Sequence, residues 1–303
     1  MPVPAERRRA RVETQARPLH LSPSSAAWPE ELRAIEGAPA ELWLRGRIEL
    51  LQRRPRIAIV GTRAPTPYGE SQAARFARAF AAAGCAVVSG LARGIDHAAH
   101  RTVLDAGGAT IGVLGSGVDR PWPGGELAER MLREGLLLSE FHPGEPPRAF
   151  HFPMRNRVIS GLCAGVVVIE AAHASGSLIT ARWAADQGRS VFALPGRGDH
   201  PMARGAHQLL REGAQLVEDP EEVLAELGLA AAPETAPRAQ LRPERRMLLM
   251  ALQGETCSSE ELARELDWPL PRVLVELVEC EMEGRVRRLP GGRYQLADPG
   301  RLS

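Results

Sequence analysis

Two rhythms of apolar and polar positions alternate along this 303-residue chain. From Arg56 onward come short apolar runs: Ile57–Val60, Ala86–Ser89, Thr110–Leu114, Leu136–Ser139, Val166–Ile169 and Ser190–Leu194. Each is bounded by glycine, proline or polar residues and is too short for a helix, the pattern of strands buried on both faces. Between them lie stretches of helical spacing. One runs from about Tyr68 to Ala83, with Ala74, Ala77, Phe80 and Ala81 on one face and Gly84 ending it. Others reach to about Asp105, cover Glu126 to Arg133, surround residues 155–157, and run from Leu178 to Gln187. Strand and helix in alternation predict an α/β fold, a parallel sheet with helices on both faces, with Leu216-Val217 as a last edge strand.

The remaining stretches set the domain boundaries. Residues 1–17 carry Arg7, Arg8, Arg9, Arg11 and Arg17 among few apolar groups and read as a disordered tail. Residues 18–55, with Trp28, Leu32, Ile35 and Leu42-Trp43-Leu44, read as a lead-in segment lying on a neighbouring core. The sheet domain spans 56–228, and the aperiodic residues 229–242 form a linker. Residues 243–298 hold three helical stretches and a hairpin around Pro290-Gly291-Gly292, the order of a small winged-helix domain.

Composition narrows the chemistry. At 44% hydrophobic and 25% charged residues the chain is ordinary globular material. All 38 basic side chains are arginine, which excludes any reaction needing a deprotonated lysine. A net charge of +1 provides no whole-protein field for a polyanion, so binding one requires a local patch. Cys85, Cys163, Cys257 and Cys280 have neither Cys-x-x-Cys spacing nor paired histidines, and no zinc site is expected. No apolar run approaches the ~18 residues of a membrane span. A cytoplasmic protein without membrane association is expected.

Open parallel sheets bind ligands beyond the carboxyl ends of their strands. There this chain places Gly61-Thr62-Arg63, Ser89-Gly90, Gly115-Ser116-Gly117, Arg155-Asn156-Arg157, Ser175-Gly176-Ser177 and Pro195-Gly196. Glycines admit close approach and arginine forks grip phosphate, so six such segments on one rim predict a phosphate-bearing ligand. Phe152-Pro153 sets the Arg-Asn-Arg triplet in the opening turn of a helix, where free amides favour an anion. The same triplet also reads as a cap paired with nearby carboxylates. The first loop lacks Gly-x-Gly-x-x-Gly, and no Gly-x-x-x-x-Gly-Lys-Ser/Thr occurs. Arg63 would keep a pyrophosphate from nesting there, yet could grip a backbone phosphate from the side. Asp96, His97 and His100 read better as a helix-capping aspartate with packed histidines than as a catalytic pair. Glu170 is expected to bond loop amides and not to be catalytic.

Taken in order, Val60-Gly61-Thr62-Arg63, Ser89 to Asp96 with His100, Phe152 to Leu162, Ser175 to Ala181 and Pro195-Gly196 resemble the DNA-processing protein A (DprA, or Smf) family over residues 28–228, and more loosely beyond. The resemblance implies an extended Rossmann-like domain that binds single-stranded DNA and loads the RecA recombinase in natural transformation and recombination. It also implies a homodimer without catalysis; no cofactor or metal is expected. Carried over by position, the DNA pocket comprises Arg63, Phe152, Arg155, Asn156 and Arg157, with Arg148 as an addition. The chain departs from the family at Thr62, at Trp122-Pro123 and its shortened loop, and at Gly205-Ala206-His207. The rival class is a nucleotide-processing enzyme resembling the cytokinin-activating phosphoribohydrolases. Ser175 to Ala181 lacks their glycine run and glutamate.

The third helix of the small domain carries Glu276, Glu279 and Glu283 at helical spacing with Arg272 the single basic residue. Residues 243–303 hold 9 arginines against 11 acids, a balance of −2. Such a helix is expected to repel duplex DNA and to serve protein binding, or docking on the first domain.

Overall fold

The computed structural model describes residues 17–229, 243–252, 256–282 and 285–297 and divides into two compact units, the first range forming one and the rest the other. Residues 1–16 of the expected tail, 230–242 of the expected linker, and Glu283 lie outside the described residues.

The first unit is built on a nine-stranded sheet in the order β1-β2-β6-β5-β4-β3-β7-β8-β9. The strands are β1 (Leu19–Leu21), β2 (Leu42–Gly46), β3 (Arg56–Val60), β4 (Ala86–Ser89), β5 (Ala109–Val113), β6 (Leu136–Ser139), β7 (Gly165–Val168), β8 (Ser190–Ala193) and β9 (Gln215–Leu216). All pairings from β6 across to β9 are parallel. Successive strand residues feed opposite faces. Ile57, Ile59 and Val167 pack with Phe76 and Phe80 of α1 (Pro67–Ala82) and with Ile95 and Val103 of α2 (Ile95–Asp105). Ala58, Val60, Val166 and Val168 pack with Val158 and Ile159 of α4 (His151–Gly161) and Leu178 of α5 (Ser177–Asp186). Helices α3 (Glu126–Glu134), α6 (Arg204–Arg211) and α7 (Pro220–Glu226) complete the two layers.

The lead-in segment does more than lie on the core. Its β2 pairs antiparallel with β6, setting Leu44 against Leu138, and β1 pairs with β2. Leu42 and Leu44 alternate into the core and cover what would otherwise be an open sheet edge. Buried Arg56 locks the segment down. Its Nε donates to the Leu162 carbonyl at 2.7 Å, its Nη1 to the Leu51 carbonyl at 2.6 Å, and its Nη2 lies 2.8 Å from Glu31.

Strands β3 to β6 step steadily one way, and β7 returns to the other side of β3. The gap between the β3 and β7 loops is therefore the switch point where open sheets offer a crevice to ligands.

The second unit holds α8 (Pro243–Ala251), β10 (Cys257–Ser258), α9 (Ser259–Glu265), α10 (Leu270–Met282), β11 (Val286–Arg288) and β12 (Arg293–Leu296). Ser258 caps α9 in a reciprocal box with Glu261. Among the described residues, the expected acidic stripe on α10 is turned in part toward α8. Arg245 of α8 reaches both Glu276, at 3.1 Å, and Glu279, drawing them to the side facing α8. Leu274, Val275, Val278 and Met282 are exposed apolar residues of α10, beside exposed Leu270, Arg272 and Glu281.

Candidate nucleic-acid interface

The switch-point crevice is filled by the protein itself. Thr62 N–H donates to the Glu170 carbonyl at 2.7 Å. The Glu170 carboxylate accepts from Thr66 N–H at 2.9 Å and from the Thr66 hydroxyl at 2.6 Å, as its position at the end of β7 suggested. Thr66 is the N-cap of α1. Gly69 is needed here, because a Cβ on it would sit 2.2 Å from a Glu170 oxygen. The positive end of α1 is thus already occupied by a carboxylate.

The loop after β4 is closed in the same way. Asp96 accepts from Gly90 N–H at 3.0 Å and Ala92 N–H at 3.3 Å. The expected capping role is corrected: the cap position of α2 is Gly94, no side chain caps it, and the Asp96 carboxylate turns back to the preceding loop. Burial raises the Asp96 pKa, and the charge of Arg155 works against that rise. His100 is fully buried with its Nδ1 2.7 Å from the Thr110 hydroxyl, and burial holds it down to about 3. It is a packed neutral histidine.

Helix α4 starts earlier than the proline suggested. It begins at His151, and Pro153 lies within the first turn, where a missing N–H costs nothing. Arg155, Asn156 and Arg157 consequently fall in the second turn, past the amides a helix start leaves free. The arginine forks are also engaged internally. Arg155 is buried, and its Nη1 donates to the Gly90 carbonyl at 2.8 Å and to the Val113 carbonyl. Burial lowers its pKa to about 10, with Asp96 opposing, so it keeps its charge at neutral pH. Arg157 meets Glu140 through both Nη atoms, at 2.6 and 2.5 Å, and its Nε donates to the Gly37 carbonyl at 2.7 Å. Asn156 donates to the Gly176 carbonyl at 3.1 Å. The triplet, expected to face a phosphate, instead ties α4 to the loops around it.

Other rim residues are spent likewise. The buried Ser89 and Ser116 hydroxyls donate to the carbonyls of Ile59 and Arg120, and those of Ser175 and Ser177 face each other at 2.8 Å. Thr62 is buried, and its hydroxyl accepts from Ala64 N–H at 3.3 Å. The glycines admit protein rather than ligand. A Cβ on Gly90 would lie 2.6 Å from Arg155 Nη1, on Gly115 2.8 Å from the Phe152 ring, on Gly61 2.6 Å from Ile95, and on Gly117 2.7 Å from Asp119. Gly176 differs: it is exposed, with nothing within 4 Å of that position.

What faces solvent is a shorter set. Arg63 is exposed with its guanidinium carbon 5.7 Å from the centre of the half-buried Phe152 ring. Arg148 is exposed, 3.0 Å from Glu145. Arg93, Arg120 and Phe150 join them, unforeseen from the sequence, on loops at the same ends of β4, β5 and β6. Phe150 is 57% exposed and packs edge-on against His151, which stacks on Phe141. The legible signal for Arg93 was its place beside Gly94, whose φ of +83° lets the Arg63 backbone pack against it. Exposed guanidinium groups, one of them over an aromatic ring, above loops whose anion sites are already filled, suit a polyanion lying across the rim with its bases unstacked. They do not suit a mononucleotide inserted phosphate first.

Fold and rim together define a class: a Rossmann-like α/β unit with a closed nucleotide crevice, followed by a winged-helix unit. The family model for DNA recombination-mediator protein A matches residues 20–228, and that for the DprA winged helix domain matches residues 230–292. The chain is 40% identical over 290 residues to Protein Smf of Escherichia coli K12, covering 91% of this chain and 77% of that one. It is 44% identical over 201 residues to the DNA processing protein DprA of Streptococcus pneumoniae R6, covering 66% and 71%. The solved S. pneumoniae DprA structure superposes with a TM-score of 0.66 at 41% identity, over 72% of this chain and 77% of that one. The Helicobacter pylori protein, described for its single-stranded DNA binding mode, gives 0.62 at 28%, over 70% and 97%. The chain belongs to the DprA family.

Proposed function

We propose that this chain binds single-stranded DNA across the rim of its sheet and hands it to a RecA recombinase in natural transformation and recombination, acting in the cytoplasm as a homodimer without catalysis. The observation that carries the binding is Arg63 exposed over Phe152, beside a crevice that Glu170 has closed to nucleotides. Arg63 and Arg148, with Arg93 and Arg120, hold phosphates, and Phe152 stacks a base for about 1–3 kcal/mol. Gly176 gives the strand room. Arg155, Asn156, Arg157, Ser89 and Ser116 frame the pocket from beneath. Family membership and the DNA-binding H. pylori relative support this reading. The rival reading, hydrolysis of nucleoside monophosphates, would need a free carboxylate, and Glu170 spends its own on Thr66.

Titration with oligonucleotides at several salt concentrations tests the proposal. Single strands should be preferred to duplex, and log affinity should fall against log salt by about 0.7 per phosphate contacted. Arg63→Ala should lower both affinity and slope. An unchanged slope counts against phosphate contact at that residue. Release of free base from nucleoside monophosphates would favour the enzyme.

A further inference from the structure

Two further aromatic rings stand exposed at the rim. Trp122, in the loop after β5, is 56% exposed, and Phe150, at the end of the loop after β6, is 57% exposed. A single surface ring needs no explanation, since every folded surface shows some apolar atoms. These two differ because the loops that carry them are locked together. Gly117 N–H donates to the Glu145 carbonyl at 2.9 Å, and Gly144 N–H donates to the Asp119 carboxylate at 2.8 Å. The fit is close: a Cβ on Gly117 would lie 2.7 Å from both the Asp119 carboxylate and the His142 carbonyl. Phe150 is braced by buried His151, which stacks on Phe141 at 3.9 Å and lies 3.2 Å from the Gly115 carbonyl. A ring already fixed loses little rotamer freedom when a partner lands on it.

The same two loops carry exposed arginines, Arg120 two residues before Trp122 and Arg148 two residues before Phe150. A single strand offers bases and phosphates in alternation, and a protein holds one by combining aromatic rings for the bases with arginines for the backbone. The loop pair continues directly from the pocket, because the Phe152 ring lies against Gly115 at the start of the β5 loop. On the opposite side the chain offers no counterpart: residues 170–176 and 194–200, after β7 and β8, contain no Phe, Trp or Tyr. Tyr68, also exposed, follows the β3 loop beside Gly69, which packs against a Glu170 carboxylate that would repel the strand's phosphates. Resting on the reading of the rim as a single-strand site, we infer that the strand leaves Phe152 toward β5 and β6, and that Trp122 and Phe150 hold further bases. Bases stacked in a duplex have no free face for these rings, so the loop pair also helps to select single strands.

The test uses the full chain and oligothymidylate. Of the five tryptophans Trp122 is the exposed one; Trp28 is buried, and Trp43, Trp183 and Trp268 are half-buried. Saturating oligothymidylate should quench the tryptophan emission. Trp122→Phe, which keeps a ring to stack on, should bind nearly as wild type does and lose that quench. Trp122→Ala and Phe150→Ala should each weaken binding about five- to a hundredfold, with the melting temperature and the salt slope of wild type. On an abasic oligonucleotide of the same length both should bind as wild type does, since no base is there to stack. The inference is overturned if Trp122→Phe keeps the full quench, if either alanine variant binds oligothymidylate like wild type, or if their losses persist on the abasic strand. Arg63→Ala reports on the rim reading separately. Where it weakens binding and flattens the salt slope while the alanine variants change nothing, the rim stands and this inference alone fails. If wild type does not bind single strands, both fail.

Discussion

Replacing Arg155 with methionine separates a residue that builds the site from one that touches DNA. The substitution keeps most of the side-chain volume and removes the charge. It leaves the Gly90 and Val113 carbonyls without their guanidinium donor. It also leaves buried Asp96 without the one positive charge that opposes its burial. Leaving a buried carboxylate without the charge that opposes its burial costs about 3–5 kcal/mol. Asp96 retains the amides of Gly90 and Ala92, which places the cost near the lower end, at about 3 kcal/mol. For a unit of this size that is a fall of about 6–12 °C in Tm. Adding Asp96→Asn should recover part of the loss, because the stranded charge is then gone. Calorimetry measures the stability, and oligonucleotide titration below the transition measures binding. Affinity should weaken as the Ser89 to Asp96 loop loosens, while the slope of log affinity against log salt stays at the wild-type value. Arg63→Ala should do the reverse, leaving Tm alone and flattening the slope by about 0.7. A flattened slope with an unchanged Tm in Arg155→Met would refute the reasoning, for it would mean that this guanidinium reaches phosphate.

Further outcomes follow from the same contacts. Phe152→Leu should weaken single-strand binding by about 1–3 kcal/mol without altering the salt slope, read by fluorescence anisotropy. Gly115→Ala, whose Cβ meets the Phe152 ring at 2.8 Å, should displace that ring and cost affinity in the same slope-neutral way. Burial pushes the Glu31 carboxyl up, but its bonds from Arg54 and the charge of Arg56 outweigh this and hold it at about 2, against an ordinary 4.5. A carboxyl depressed on folding stabilises above its unfolded pKa and loses that contribution as pH falls through the folded one. Wild type should therefore lose about 2 kcal/mol, allowing for screening, between pH 4.5 and 2, and Glu31→Gln should lack that step in urea unfolding followed by tryptophan fluorescence.

The parallel sheet was readable because strands buried on both faces leave an unmistakable pattern, as in Val166 to Ile169. The winged helix was readable from helix caps such as Ser258 with Glu261 and from the Gly-Gly turn of its hairpin. The two extra strands were less so, since Leu42-Trp43-Leu44 is equally compatible with a segment lying on the core. Pairing with β6 exists only once β6 has an edge to offer.

At the rim, the amino-acid order determined which residues gather at the carboxyl ends of the strands, because alternation of strand and helix sends every such loop to the same side. It did not determine which of them face outward. Arg63, Arg155 and Arg157 are chemically identical, and their roles part only because Glu140 and the Gly90 carbonyl stand within reach of two of them. Glu276 and Glu279 likewise share a helical stripe by spacing, and Arg245, more than thirty residues earlier in the chain, decides which way that stripe looks. A buried guanidinium or carboxylate must find its counter-charge, and contacts between distant parts of the chain set where that counter-charge is.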